Sequence, residues 1–221
     1  AVAQSEVCVL ATPVNTISTL LPRILDLLPP DKVVMDFGST KENICQIADQ
    51  HPKRSQFVAV HPMAGTENSG PGAAFKELLP GQNVIICDKE KSDSDAVALV
   101  EALLLDIGMK IHYMKPDEHD LHLAYVSHLS HVSSFALGLT VLEKEKDETA
   151  IFKMAGTGFS STVRLAKSSP QMWAPIFSQN KENLCRALTD YIEYLQKFKE
   201  AIEAEANDQS IDFMKRSNDI R

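Results

Sequence analysis

The stretch HPMAGTENSG, residues 61–70, joins a histidine to a proline and continues with small and polar residues and two glycines. Imidazole changes charge near neutral pH, so His61 is a candidate general acid or base. Pro62 fixes its own φ and pushes His61 toward an extended backbone, which gives the ring a defined direction. Ala64 and Gly65 leave room for a ligand to approach the backbone. A structural histidine at the start of a loop would fit the same position, and position alone leaves both readings open.

Other residues could join this chemistry. In DFGSTK, residues 36–41, Gly38 permits a tight turn. Ser39 can cap the following helix or aim its hydroxyl at His61, and the two roles can coexist. Ser39 and His61 would also make a hydrolase dyad, but no GxSxG elbow and no placed acid accompany them. Arg164, in GFSSTVRLAKSSPQMW, stands among apolar and small residues. Buried, it would need an anion, and a carboxylate matches its two-pronged geometry; exposed, it would be an ordinary surface arginine. The segment HDLHLAYVSHLSH, residues 119–131, holds four histidines. At about 100° per residue, His119 and His122 point away from His128 and His131. No CxxC or HExxH accompanies them, so no metal site is expected. One of His128 and His131, set among apolar residues and serines, is a candidate buried contact to a substrate. Trp173, the sole tryptophan, is expected in a core.

These residues need elements to hold them. Apolar runs predict strands over 7–13, 32–38, 56–62, 81–88 and 109–114. Helical spacing covers 16–29, with Pro22 as a kink and Pro29 and Pro30 as the stop, then 39–50, and 95–108 ended by Gly108. The alternation predicts an α/β unit with a mostly parallel sheet, a partial Rossmann-type domain. Three strand ends, at 11–13, 36–41 and 61–65, would then face one crevice where such sheets bind ligands. From Pro116 the pattern turns helical, which places domains at 1–115 and 116–221. Leu188, Tyr191, Leu195, Phe198 and Ile202 recur at spacings of three and four, a stripe that suits either an internal core or a subunit interface. The polar tail from Asn207 onward is expected to fray.

The net charge of -8 and the lack of a clustered basic face argue against a nucleic-acid partner. Four cysteines far apart, without a CxxC pair, suit reduced thiols in the cytoplasm. No apolar run reaches the roughly 18 residues needed to span a bilayer, and no signal peptide is visible. The sequence starts at Ala1 and runs almost at once into a buried-type strand, as though it began inside a domain.

In this order, ATPV, DFGSTK, HPMAGTENSG, SHLSH and GFSSTVRLAKSSPQMW resemble the prephenate dehydrogenases and their arogenate-using relatives, oxidative enzymes of tyrosine synthesis. The resemblance runs from about Val7 to at least Asn183, and HPMAGxExSG is its most specific element. SHLSH departs from the usual SHLPH. GFSSTVRLA departs from GFRDxTRIA: Ser160 and Ser161 replace an Arg-Asp pair, while Arg164 is retained. The resemblance implies a Rossmann-type domain followed by a helical dimerisation domain, and a homodimer through the latter. It implies that His61 is the catalytic histidine and that Ser39 orients it beside the nicotinamide. Arg164 becomes the carboxylate clamp, His131 and Thr66 further substrate-pocket groups, Trp173 a pocket wall, and Ala11, Thr12 and Pro13 part of the cofactor loop. NAD is the implied cofactor, with NADP as the alternative, and tyrosine feedback is a further implication. In that family a GxGxxG turn precedes the ATPV segment; none occurs here, so an N-terminally truncated form is expected, with the exposed sheet edge covered by a partner subunit or an altered arrangement.

Three functions compete. The first is an NAD(P)-dependent prephenate or arogenate dehydrogenase. The second is a catalytically silent dimerisation or regulatory fragment that binds the aromatic product. The third is another two-domain dehydrogenase acting on a 3-hydroxy acid, which would place a catalytic lysine on the helical domain.

Overall fold

The computed structural model describes residues 2–66, 68, 70–146 and 151–220. Five strands form one sheet in chain order: β1 (Val7–Leu10), β2 (Val33–Asp36), β3 (Phe57–Pro62), β4 (Asn83–Cys87) and β5 (Lys110–Met114). Helices α1 (Val14–Leu27) and α2 (Glu42–Asp49) cross between the first three strands, which run parallel. No α-helix is seen between β3 and β4 among the described residues, and β4 returns antiparallel. Helix α3 (Ser94–Asp106) then carries the chain across to β5, parallel to β4. The expected mostly parallel sheet is present, and its one antiparallel pairing follows from the missing crossover helix.

Side-chain alternation splits the core between the two faces. Val34, Phe57, Ala59, Ile85 and Cys87 meet Ile17, Leu21, Leu25 and Ile44 on one side. Val33, Met35, Val58, Val60, Val84 and Ile86 meet Ala96, Val100 and Leu104 of α3 on the other. Gly108, at φ 87°, closes α3 as the sequence predicts.

The helical part follows from Pro116. Helix α4 (Pro116–Leu123) passes through a π-helical turn, Ala124–His128, into α5 (Leu129–Glu145). The Gly/Ser-rich segment folds as α6 (Thr157–Thr162) and a 3-10 turn, Arg164–Lys167. Helices α7 (Pro170–Gln179), α8 (Lys181–Glu203) and α9 (Asn207–Ser217) complete the chain. The expectation of a frayed tail fails here. Phe213 of α9 meets Phe198 of α8 edge-on, with centroids 5.2 Å apart, and that contact supports the helix. Of the α8 stripe, Leu188, Tyr191 and Phe198 are half-buried, while Leu195 and Ile202 are exposed.

Polar contacts hold the helical part to the sheet part. Thr40 donates to Gln179 Oε1 at 2.6 Å, and Gln179 Nε2 donates to Ser18 on α1 at 3.1 Å. Trp173 and Ile176 of α7 pack on Val14.

Candidate active site

The C-terminal ends of β1, β2 and β3 share one edge of the sheet. Asp36, the last residue of β2, is fully buried and anchors the turn into α2. It accepts from Gly38 N at 2.8 Å and from Val60 N at 3.2 Å, and it pairs with the buried ammonium of Lys41. A Cβ on Gly38 would lie 2.8 Å from Asp36 Oδ2 and 2.9 Å from the Ile44 side chain, so a larger residue here would press on the Asp36 anchor.

Helix α2 starts at Glu42, later than a Ser39 cap would set it. Lys41 holds the N-cap position with no side-chain cap of its own. The open N–H groups of Lys41 and Glu42 instead donate to Asp120 of α4, at 2.8 and 3.0 Å. The expected Ser39 cap is therefore replaced by a carboxylate 79 residues from Lys41, an anion at a helix N-terminus.

His61 lies near the end of β3 and is 8% exposed. Its Nδ1 lies 2.8 Å from Nε2 of His119, and His119 Nδ1 lies 2.7 Å from Asp120 Oδ1. The expected contact from Ser39 is not what orients the ring. Ser39 is half-buried, and no hydrogen bond of its hydroxyl to His61 is found among the described residues. Burial, then the nearby His119, Lys41 and His128, hold the His61 pKa well below its ordinary value. Burial also lowers that of His119, against the pull of Asp120. Both rings are thus held neutral.

His128 joins the same region, contrary to the helical-wheel expectation. The π-helical turn consumes an extra residue and sets back the angular phase by about 100°. His128 is thereby turned toward the side of His119 and is fully buried. Asn180 Nδ2 donates to His128 Nδ1 at 3.1 Å and to the Asp120 carbonyl at 2.6 Å. Burial pushes the His128 pKa down to about 4. Its Nε2 has no hydrogen-bond partner among the described residues, and the same holds for the indole nitrogen of Trp173.

Trp173 is buried, as expected of the sole tryptophan, and touches both histidines of SHLSH. The His131 ring stacks on it with centroids 3.4 Å apart, and His128 meets it edge-on at 5.9 Å. His131 Nδ1 donates to the Ser127 carbonyl at 3.0 Å. Burial lowers its pKa against the raising effect of the Ser127 carbonyl, and the positive charge of Arg164 lowers it further. Arg164 itself is exposed, on the 3-10 turn after α6.

The remaining candidates lie further out. Ala11, Thr12 and Pro13 form an exposed loop after β1. Thr66 is exposed, and its Oγ1 accepts from Asn68 N at 3.2 Å. It lines a shallow hollow of about 530 Å³ with Asn68, Ala74 and Phe75, and this hollow does not include the histidines. A second hollow of about 510 Å³ is lined by Glu42, Asp117, Glu118 and Glu182, a wall unsuited to an anionic ligand. Among the described residues no group of three or more His, Cys, Asp or Glu could hold a metal ion, and no helix is long and apolar enough to cross a membrane.

Sequence reasoning missed His119, Asp120 and Lys41. The one signal for His119 is its place in the histidine-rich segment. Asp120 and Lys41 give none, because each reads as an ordinary helix-start charge.

The sheet, the strand-end crevice and the appended helices define a nucleotide-binding α/β oxidoreductase with a helical second part. Residues 1–113 match the prephenate dehydrogenase nucleotide-binding domain, and residues 115–216 match the prephenate dehydrogenase dimerization domain. The chain belongs to the prephenate dehydrogenase family. It is 30% identical to a cyclohexadienyl dehydrogenase of Zymomonas mobilis over 100% of this chain and 76% of that protein. It is equally 30% identical to a prephenate dehydrogenase of Bacillus subtilis, where it spans 60% of the relative's length. Among solved structures, prephenate dehydrogenase from A. aeolicus in complex with hydroxyphenyl propionate and NAD+ superposes with a TM-score of 0.86 at 34% identity. That match covers 96% of this chain and 74% of that one. Synechocystis arogenate dehydrogenase gives a TM-score of 0.79 at 27% identity, covering 97% of this chain and 77% of that one.

Proposed function

We propose that this chain carries out the oxidative decarboxylation of prephenate to 4-hydroxyphenylpyruvate with NAD+, a step of tyrosine synthesis. The observation that carries the reading is His61: a neutral imidazole at a strand end, oriented by a second histidine and a carboxylate. Prephenate has a ring alcohol, a ring carboxylate and a side-chain keto acid. NAD+, when bound, supplies the acceptor for the hydride that leaves the alcohol carbon. The chain's own groups orient the substrate and take the hydroxyl proton at His61. Loss of carbon dioxide completes the aromatic ring, which drives the reaction forward.

The residues present suit both ligands. Exposed Ala11, Thr12 and Pro13 follow β1 and Ser39 follows the neighbouring β2, so both loops leave the strand ends on the sheet edge where folds of this kind receive a nicotinamide, beside His61 at the end of β3. NADP would share that end of the site. Exposed Arg164 offers positive charge to a substrate carboxylate, and His131, whose Nδ1 is taken by the Ser127 carbonyl, offers its Nε2 lone pair to a substrate hydroxyl, with Trp173 stacked on it as a wall. Thr66, exposed on the loop after His61, offers a hydroxyl to the substrate. Arogenate differs from prephenate only in carrying an amino group in place of the keto oxygen and would enter the same site. Tyrosine shares the product's phenol and would compete there, giving feedback. Exposed Leu139 and Leu142 of α5, with Ile192, Leu195 and Ile202 of α8, offer an apolar face through which two copies would pair.

The test is NADH formation from prephenate or arogenate, with and without tyrosine. His61→Asn should lower kcat by about 10²–10⁴-fold with KM for the substrate nearly unchanged. An unchanged rate in this variant would remove His61 from the chemistry.

A further inference from the structure

A histidine can accept a proton only at the nitrogen that does not already carry one, so the proposed reaction depends on the tautomer of His61. The structure fixes that tautomer through a chain of partners. The Asp120 carboxylate only accepts, and three N–H donors converge on it: Lys41 N at 2.8 Å, Glu42 N at 3.0 Å and His119 Nδ1 at 2.7 Å. The proton of neutral His119 therefore sits on Nδ1, and its Nε2 holds a lone pair. That lone pair faces His61 Nδ1 at 2.8 Å, so His61 must donate there. Its Nε2 is left as the acceptor.

We propose that His119 and Asp120 are positioning residues that lock His61 in the Nδ1–H form, so that Nε2 is the nitrogen that takes the substrate's hydroxyl proton. The proton moves from the ring hydroxyl oxygen to His61 Nε2, and the imidazolium so formed faces the Asp120 charge through His119. The same carboxylate receives the N-terminus of α2, so the geometry of α4 against α2 sets the base. The docking of the helical part on the sheet part thus decides which nitrogen of His61 is basic. This inference rests on the proposed dehydrogenase reading only for the identity of the proton donor; the tautomer is a property of the protein without substrate.

The experiment measures ring ¹⁵N signals of the protein labelled at histidine, with His61 assigned by their loss in His61→Gln. The wild type should show a protonated Nδ1 and a bare Nε2 at His61. His119→Leu removes the acceptor and Asp120→Asn removes the anion; both should give a tautomer mixture. Their kcat should fall roughly 10²-fold, the lower end of what a positioned base contributes, while KM holds. His119→Gln, whose amide oxygen can still accept from Nδ1–H, should restore much of the Nδ1–H signal and of the rate. A wild-type His61 protonated at Nε2 overturns the proposal even if a variant fails to fold, and so does a tautomer unchanged in His119→Leu and Asp120→Asn. A wild type with the Nδ1–H signature but no NADH formation from either substrate would instead overturn the functional reading and leave the tautomer assignment standing.

Discussion

The seam between the two parts of the molecule and the rim around Arg164 solve opposite problems. At the seam, Asp36, Lys41, His119, Asp120 and His128 are all buried, and each makes a specific hydrogen bond or ion pair. At the rim, Thr66 and Arg164 are exposed, and His131 is half-buried. A group that must hold one protonation state is served by burial, because desolvation penalises the charged form. A group that must meet an anionic ligand is served by access to water until the ligand arrives, because a buried unpaired charge is costly. The difference shows how one acidic chain can keep both a neutral base and a cationic anchor.

That contrast can be broken at its strongest point. Lys41→Met leaves the Asp36 carboxylate buried with only two backbone donors, which should cost about 3–5 kcal/mol in urea unfolding. A loss below about 1 kcal/mol would mean that the Asp36–Lys41 pair does not hold the seam.

Acid comes next. The His128 pKa is lowered to about 4 in the folded protein, against about 6.5 when unfolded. A depressed histidine contributes a penalty on protonation: stability is fully present above the unfolded value and is lost as pH falls toward the folded one. Between about pH 6.5 and 4 the unfolded chain binds more protons, so stability should fall on acidification, by on the order of 3 kcal/mol from His128 alone. His61 and His119 are shifted the same way and add to the trend. Urea midpoints across this range, for wild type and His128→Gln, check it; identical slopes in the two proteins would contradict the assignment to His128.

The smallest effect on folding is expected on the outer face of α8. Leu195→Glu with Ile202→Glu alters two exposed apolar residues, so monomer stability should change by less than about 0.5 kcal/mol. Sedimentation should nevertheless show the proposed dimer dissociating. A variant that stays paired would place the contact elsewhere on the helical part.

Much of this arrangement is legible in the amino-acid order. All five strands fall where apolar runs predict them, and the central β2 and β3, buried along their whole length, leave the most continuous apolar record. His61 at a strand end follows from the strand itself and from Pro62. The motif order from ATPV to the Trp173 segment carries the family resemblance. The departures are of one physical kind. A helical wheel sets His119 against His128 by assuming one turn angle throughout, and the π-helical turn at Ala124–His128 breaks that assumption. Local spacing makes Ser39 a cap, whereas the cap comes from Asp120 across the seam. Polarity makes the tail from Asn207 a frayed one, whereas Phe213 on Phe198 supplies what propensity lacks.

The sequence by itself determined the strands, the place of His61 and the membership of the family, because periodicity and short motifs are written within a few neighbouring residues. Only the tertiary structure decided which partner holds His61, how Lys41 is neutralised and where His128 points. Those contacts join residues from 5 to 79 positions apart, and their energies depend on burial that no local pattern encodes.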